Sequence, residues 1–503
     1  MNALETLLSV LRTVFRRVRR PLPWVMVALT GVALTTPTAH AAVRNVGSGQ
    51  PYATIGAALA ASSDGDVINI VDPVHTEADI YVSDAVTIQG QGASATVVQA
   101  HPGFAVAPAR VFTVASSGRV IIRDMTIRHG NDSGVGNGGG IYLSSGGLLL
   151  DRVVVTLNRD GAEPGGHSRG GGIYVSMGGL RIRDSTISDN VAEAGDIGID
   201  GYGGYASGGG IYVSSTDVAE IVGTTISGNQ ALGGDGTIAG YSFAWGGGIN
   251  VSWGTLNLIN SVVRNNQAIG GTVATGFGGP AEGGGIFGGA SGEVNLFNTT
   301  VSSNLAQGGN GSTGAQVLGG GIKLRNGSLT SCTVAANQTT NGTTMYAGGL
   351  YSEGFPGEGP RLTNSVFADN VCSGDPNDAD LKGHVVSGDY NIIEKDGGTF
   401  TGVTTHNLLG IDPLLVPLGD WGGPTWTHPL AAGSPGIDML PIGINGCLSI
   451  DFDQRGFYRA AGGSAGGAAC DCGAFEAASS DAGLVFFDAF EGANTWMWSS
   501  SYP

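Results

Sequence analysis

The five residues Arg128-His129-Gly130-Asn131-Asp132 place a cation, a base and a carboxylate side by side. Those types suit proton abstraction beside a sugar carboxylate, as in a polysaccharide lyase, or acid–base hydrolysis. They suit a solvated turn equally well. Asp124, Asp151 and Asp184 stand at neighbouring polar positions, where aspartates build turns as readily as they line a groove. Tyr202, Tyr205, Tyr241, Phe243, Trp245 and Phe277 suggest different chemistry, because they lie in glycine-rich stretches. Aromatic faces with small polar neighbours suit binding of glycans or protein surfaces. They also suit packing back onto a body. Asp196, Asp200 and Asp235 share these stretches and are candidate Ca²⁺ ligands, although their spacing fits neither an EF-hand nor a glycine-rich calcium roll. No other cofactor is expected.

A repeat positions these residues. Gly-Gly-Gly-Ile ends at Ile141, Ile173, Ile211, Ile249, Ile286 and Ile322, and a decayed copy ends at Leu350. The steps are 32, 38, 38, 37, 36 and 28 residues. After each string comes an aliphatic-x-x-Asn phrase, giving Asn158, Asn190, Asn229, Asn266, Asn304, Asn337 and Asn370, while an earlier copy has Gly130 at that place. Three and eight residues before the Asn column every copy is apolar. Six residues before it the side chains are mostly Asp, Asn, Ser or Gly. Short period-two strands between fixed turns read as one coil per repeat. A single coil cannot bury its apolar face alone, so equivalent strands must stack. The expected fold is all-β: a right-handed parallel β-helix, with asparagine amides passing hydrogen bonds from coil to coil. Tyr52–Ala60 reads as a short helix covering the first coil, and the chain's C-terminal part as a small cap. The segments 159–169, 191–207, 230–245, 267–282 and 305–318 all leave at one corner and should form one wall.

Composition agrees. Of 503 residues 90 are Gly and 13% are charged. Glycine at that level disfavours helical bundles, and the apolar content of 41% disfavours disorder. The net charge is −18, and it becomes −22 without residues 1–41, which hold five arginines and one acid. Such a surface repels nucleic acid. Residues 1–41 read as a secretory signal: a basic stretch to Arg20, an apolar run from Trp24 to Leu34, and Ala39-His40-Ala41. No transmembrane span is expected in the mature chain, which should be extracellular or on the outer cell surface and monomeric. Five cysteines in an exported chain permit a disulfide, from Cys447 to Cys470 or Cys472.

Several phrases resemble known families. Tyr52-x-Thr54-Ile55 and Asp64-Gly65-Asp66-Val67-Ile68 look like the opening of pectin-lyase-like β-helix proteins. The Gly-Gly-Gly-Ile and x-x-Asn pairing resembles polymorphic outer-membrane protein repeats over roughly residues 119–370. Asp412-Pro413-Leu414-Leu415, Gly422-Gly423-Pro424-Thr425, His428, Asp438, Asp453-Gln454-Arg455-Gly456 and Cys470-Asp471-Cys472-Gly473 resemble the choice-of-anchor Q domain of bacterial surface proteins. That resemblance implies an extracellular protein without an assigned reaction. The polygalacturonase phrases Asn-Thr-Asp, Asp-Asp and Gly-His-Gly do not occur.

The expected organisation is a signal at 1–41, a cap and first coils at 42–118, and repeat coils at 119–380. A choice-of-anchor Q-like region follows at 381–477, then a tail at 478–503. The expected function is an adhesin-like surface protein whose wall binds glycan or protein. An extracellular polysaccharide lyase or glycoside hydrolase is the alternative, and a structural envelope component the third reading.

Overall fold

The computed structural model describes residues 41–477 except 135, 199, 239, 445–446, 448–450 and 460–468. The expected signal, apart from Ala41, and the expected tail lie outside the described residues. Nearly every described element is a β-strand, and almost all strand pairs are parallel. The chain is a parallel β-helix.

The coil at residues 173–207 illustrates the pattern. Ile173–Val175 and Gly179–Arg183 form the first face. Asp184, at φ 47°, turns the chain into Thr186–Ser188, and Asp189, at φ 54°, turns it again just before Asn190. The register between coils follows the sequence columns. Ile173 pairs with Ile141 and Ile211, Ile182 with Leu150 and Ile221, and Ile187 with Val155 and Ile226. All of these side chains are buried, and they form one continuous core from Val46 to Ile393.

The turns explain the polar column. Asp124, Arg152, Asp184, Gly223, Asn260, Asn298, Ser331 and Asn364 all have φ between 47° and 58°. That left-handed region favours Asn, Asp and Gly. The residue before each ladder asparagine is left-handed too, including Leu157 and Ala336. No residue type marks that second corner in the sequence.

The amide column is a hydrogen-bonded ladder. The Oδ1 of Asn229 accepts from the backbone N–H of Asn190 at 3.1 Å and from its Nδ2 at 3.0 Å. The Nδ2 of Asn229 donates to Asn266 Oδ1 at 2.9 Å and to the carbonyl of Ile187 at 2.9 Å. The same pattern links Asn158, Asn190, Asn229, Asn266, Asn304, Asn337 and Asn370. At one end the Gly130 N–H donates to Asn158 Oδ1. At the other end Asp380 Oδ1 accepts from Asn370 Nδ2 at 2.7 Å. The glycine strings lie against this ladder. A Cβ on Gly248 would sit 2.8 Å from the Gly285 carbonyl oxygen and 3.0 Å from Asn266 Cγ. The two sequence phrases recur together because they touch across the coil.

The segments after each asparagine do stack as a wall, and it has a core of its own. Outgoing strands such as Val191–Glu193, Gln230–Leu232 and Gln267–Ile269 form an eight-stranded parallel sheet. Returning strands such as Ala206–Ser207, Ala244–Trp245 and Ala281–Glu282 form a six-stranded one. Ala192, Ala231, Ala268 and Ala306 pack against Ala206, Ala244, Ala281 and Ala315 between them. Side chains this small let two sheets lie closer together than leucine or valine would.

The ends differ in construction. Ile55–Ala60 is a helix whose Ile55, Ala58 and Leu59 are buried over the first coil. Glu77 accepts from the N–H groups of Ile55 and Gly56 at 2.7 and 2.9 Å. At the other end, coils run on past the boundary expected at 381. Leu381–Gly388 pairs with Leu350–Ser352, and Asp396–Val403 pairs with Leu381–Gly388. The following segment doubles back along the flank of earlier coils. Thr425 Oγ1 donates to the Asn260 carbonyl, Gln454 Oε1 accepts from Thr300 Oγ1 at 2.6 Å, and His428 Nε2 lies 2.9 Å from Ser302 Oγ. Buried Arg459 donates to Asn298 Oδ1 at 2.9 Å, and Arg455 pairs with Asp453 at 2.7 Å. Asp438 does not join that ion pair; its N–H donates to Asp471. The disulfide joins Cys447 to Cys470, leaving Cys472 a buried thiol.

Candidate binding face on the loop wall

The residues with the most reactive sequence signature do not converge. Arg128 donates from Nε and Nη2 to Gln99 Oε1. His129 is buried at a left-handed corner, with Nδ1 3.1 Å from the His101 carbonyl oxygen. Burial lowers its pKa from the ordinary histidine value. Asp132 instead pairs with Arg110 at 2.5 Å, on the first outgoing wall strand. Three consecutive-looking groups are therefore split among three partners. Asp124 accepts from Arg152 at 2.8 Å, and Asp151 from the same guanidinium at 2.6 Å.

The candidate cation ligands are also separate. Asp196 Oδ1 accepts from the N–H of Asp235, Asp235 Oδ1 from the N–H of Thr272, and Asp200 Oδ1 from the N–H of Tyr202. Each carboxylate fastens one loop to its own turn or to the next coil. Among the described residues no three His, Cys, Asp or Glu side chains are grouped to hold a metal.

The six wall aromatics divide by position. Tyr205 and Trp245 are half-buried where the wall meets the body, with ring centroids 5.3 Å apart. Trp245 stacks on Phe287 at 5.8 Å, and Phe243 on Trp245 at 5.1 Å. His167 lies flat on Tyr205 at 3.7 Å and accepts from the Tyr205 N–H through Nδ1. Its remaining proton, in the neutral ring, is therefore on Nε2. Tyr202 meets Tyr241 edge-on at 5.6 Å, and a side chain on Gly240 would strike the Tyr202 ring. Tyr241 and Phe277 stand outward, 54% and 64% exposed.

Phe243 and Phe277 border a cleft of about 470 Å³. Its walls come from successive loops, with Ser242, Gln316, Thr343 and Thr344 supplying polar groups and glycines, Pro280 and Ala315 the rest. Three inter-coil steps carry it over about 14 Å. The Ser242 hydroxyl is buried and has no hydrogen-bond partner among the described residues. The volume is within the range of small-molecule sites.

Two groupings escaped sequence reading. The residue after each glycine-string aliphatic lies outside the body's core, and Tyr142, Tyr174 and Tyr212 form an aromatic row there, with centroids 5.4 and 5.1 Å apart. Further along the same column, buried Lys323 lies 2.7 Å from Glu353 and 3.5 Å from Glu282, with its ammonium 4.6 Å from the Phe287 ring centroid. Burial raises the Glu282 pKa, against the pull of Lys323. Reading the position after each Ile as its own column reveals both groups.

No protein-family model and no curated protein matches the chain. Among solved structures, XylC in complex with xylose is 13% identical with TM-score 0.32; the match covers 72% of this chain and only 56% of XylC. The alginate lyase AlyF-OU02 with G6 is 11% identical with TM-score 0.31, over 76% of this chain and 89% of that one. The A-module of Azotobacter vinelandii mannuronan C-5 epimerase AlgE6 is 14% identical with TM-score 0.24, over 71% and 92%. At these values the likeness carries nothing about substrate or reaction.

Proposed function

We propose that this is an exported cell-surface protein, adhesin-like in use, whose loop wall binds glycan. The observation that carries the reading is the cleft beside exposed Phe277, built from successive loops of one wall. Apolar sugar faces pack on aromatic rings while their hydroxyls meet Ser, Thr and Gln. Export is supported by the sequence of residues 1–41 and by the Cys447–Cys470 disulfide, a bond typical of oxidising compartments. The resemblances to polymorphic outer-membrane repeats and to a choice-of-anchor Q region support attachment at the surface. The test is a glycan-binding screen of the full chain beside Tyr241→Ala/Phe277→Ala. Binding that the double variant loses supports the reading. Binding that it retains, or no binding by the unaltered chain, opposes it.

One observation favours polysaccharide cleavage as a second reading: Lys323 joins Glu282 and Glu353 where the wall meets the body. A raised-pKa carboxyl beside a second carboxylate can serve as a general acid. New reducing ends or unsaturated products from a polysaccharide panel, abolished in Glu282→Gln, would establish it.

A further inference from the structure

We infer that the cleft between Phe243 and Phe277 takes an uncharged oligosaccharide, bound through its pyranose rings without a metal ion. The inference rests on the glycan-binding reading and names the ligand class. Among the described residues no acidic or basic side chain lines the cleft. A uronate or sulfated sugar would have to leave its charge there without a counter-ion, in a chain whose net charge is already −18.

Ser242 supplies the independent observation. Ser242 lines the cleft, the residue is only 1% exposed, and its Oγ has no partner among the described residues. A buried hydroxyl without a partner is an unmet demand, and a sugar hydroxyl can donate to it or accept from it. The two phenyl rings meet the other side of the ligand's character, its C–H faces. Gln316 and Thr343, both exposed, add donors and acceptors at the rim. The glycines at 278 and 279 are fixed by the fold, because a Cβ at either position would strike backbone of a neighbouring coil loop. The cleft crosses several coils, so it fits a short chain better than one sugar.

The experiment is calorimetric titration of the full chain with neutral hexasaccharides (cello-, laminari- and manno-configured) and with hexagalacturonate, each with Ca²⁺ and with EDTA. The expected result is binding of a neutral hexasaccharide, unchanged by EDTA. Phe277→Ala should weaken it about tenfold and Ser242→Ala about threefold. Phe277 is exposed, so its loss leaves folding intact, and matched melting curves verify this for both variants. Binding of hexagalacturonate alone would overturn the inference while leaving glycan binding in place. Neutral binding indifferent to both substitutions would overturn it too. No binding of any probe would overturn the inference and the reading beneath it together.

Discussion

Each ladder asparagine uses both ends of its amide. Removing the side chain of Asn229 strands the N–H of Asn190, takes one of two acceptors from Asn190 Nδ2, and takes a donor from the Ile187 carbonyl and from Asn266 Oδ1, all in the interior. Asn229→Ala should therefore cost about 1–3 kcal/mol. Thr237→Ala, which removes one exposed hydrogen bond to the Gly201 carbonyl, should cost well under about 1 kcal/mol. Urea unfolding of both variants measures the contrast, and equal shifts would contradict a cooperative ladder. Asp160 behaves differently. It is fully buried between wall strands, accepts from Ser168 Oγ at 2.7 Å and the Arg169 N–H at 2.6 Å, and burial pushes its pKa up to about 7. The folded state thus holds this proton more tightly than the unfolded chain does. Its contribution is fully present below about pH 4 and is lost as pH rises towards 7. Relative to Asp160→Asn, the unaltered protein should lose stability between pH 4 and pH 7. Unfolding midpoints across that range measure the difference, and a flat or rising difference would contradict it.

At the scale of elements, the coil was legible in the sequence wherever a position repeats a side-chain requirement. The aliphatic columns, the polar corner and the Asn column each demand one chemistry, so they recur. The second left-handed corner was not legible, because Leu157, Ser303 and Ala336 adopt it where the turn and the following ladder asparagine fix the backbone. The wall was legible as a place and not as a structure. Its signal was Asn-x-Ala, at Ala192, Ala231, Ala268 and Ala306, which marks an inward position two residues beyond each ladder asparagine. The candidate site was legible in part. Phe243 and Phe277 do line a cleft, whereas nothing in the linear order foretold that Ser242 would be buried there without a partner among the described residues. Arg128, His129 and Asp132 are close in sequence, yet a sharp corner at His129 sends them to different partners. The glycine strings give the test at this scale. Gly248→Ala forces a methyl against the Gly285 carbonyl and Asn266 and should cost about 1–3 kcal/mol, read from thermal unfolding. A neutral effect would mean that the coils separate more easily than the packing implies.

For the whole molecule, two constructions share one solenoid. The stacked coils and their wall are held by repeated local contacts between neighbours. The described residues between 412 and 477 instead return along the flank, fastened by long-range bonds such as Arg459 to Asn298 and by Cys447–Cys470. Reducing that disulfide should destabilise the flank segment by about 3 kcal/mol and leave the coils intact. Proteolysis under reducing conditions should then cut within residues 412–477 first, and cleavage beginning in the wall would contradict this. The wall has a small-residue core of its own, separate from that of the body, and we propose that its outer loops serve the partner. Hydrogen exchange of the full chain, with and without a bound glycan, tests that most directly. Slowed exchange confined to residues 240–243, 277–280, 314–316 and 343–344 is the result expected. Protection along Tyr142, Tyr174 and Tyr212, or on the flank segment, with the wall unchanged, would place the binding face elsewhere and contradict the account.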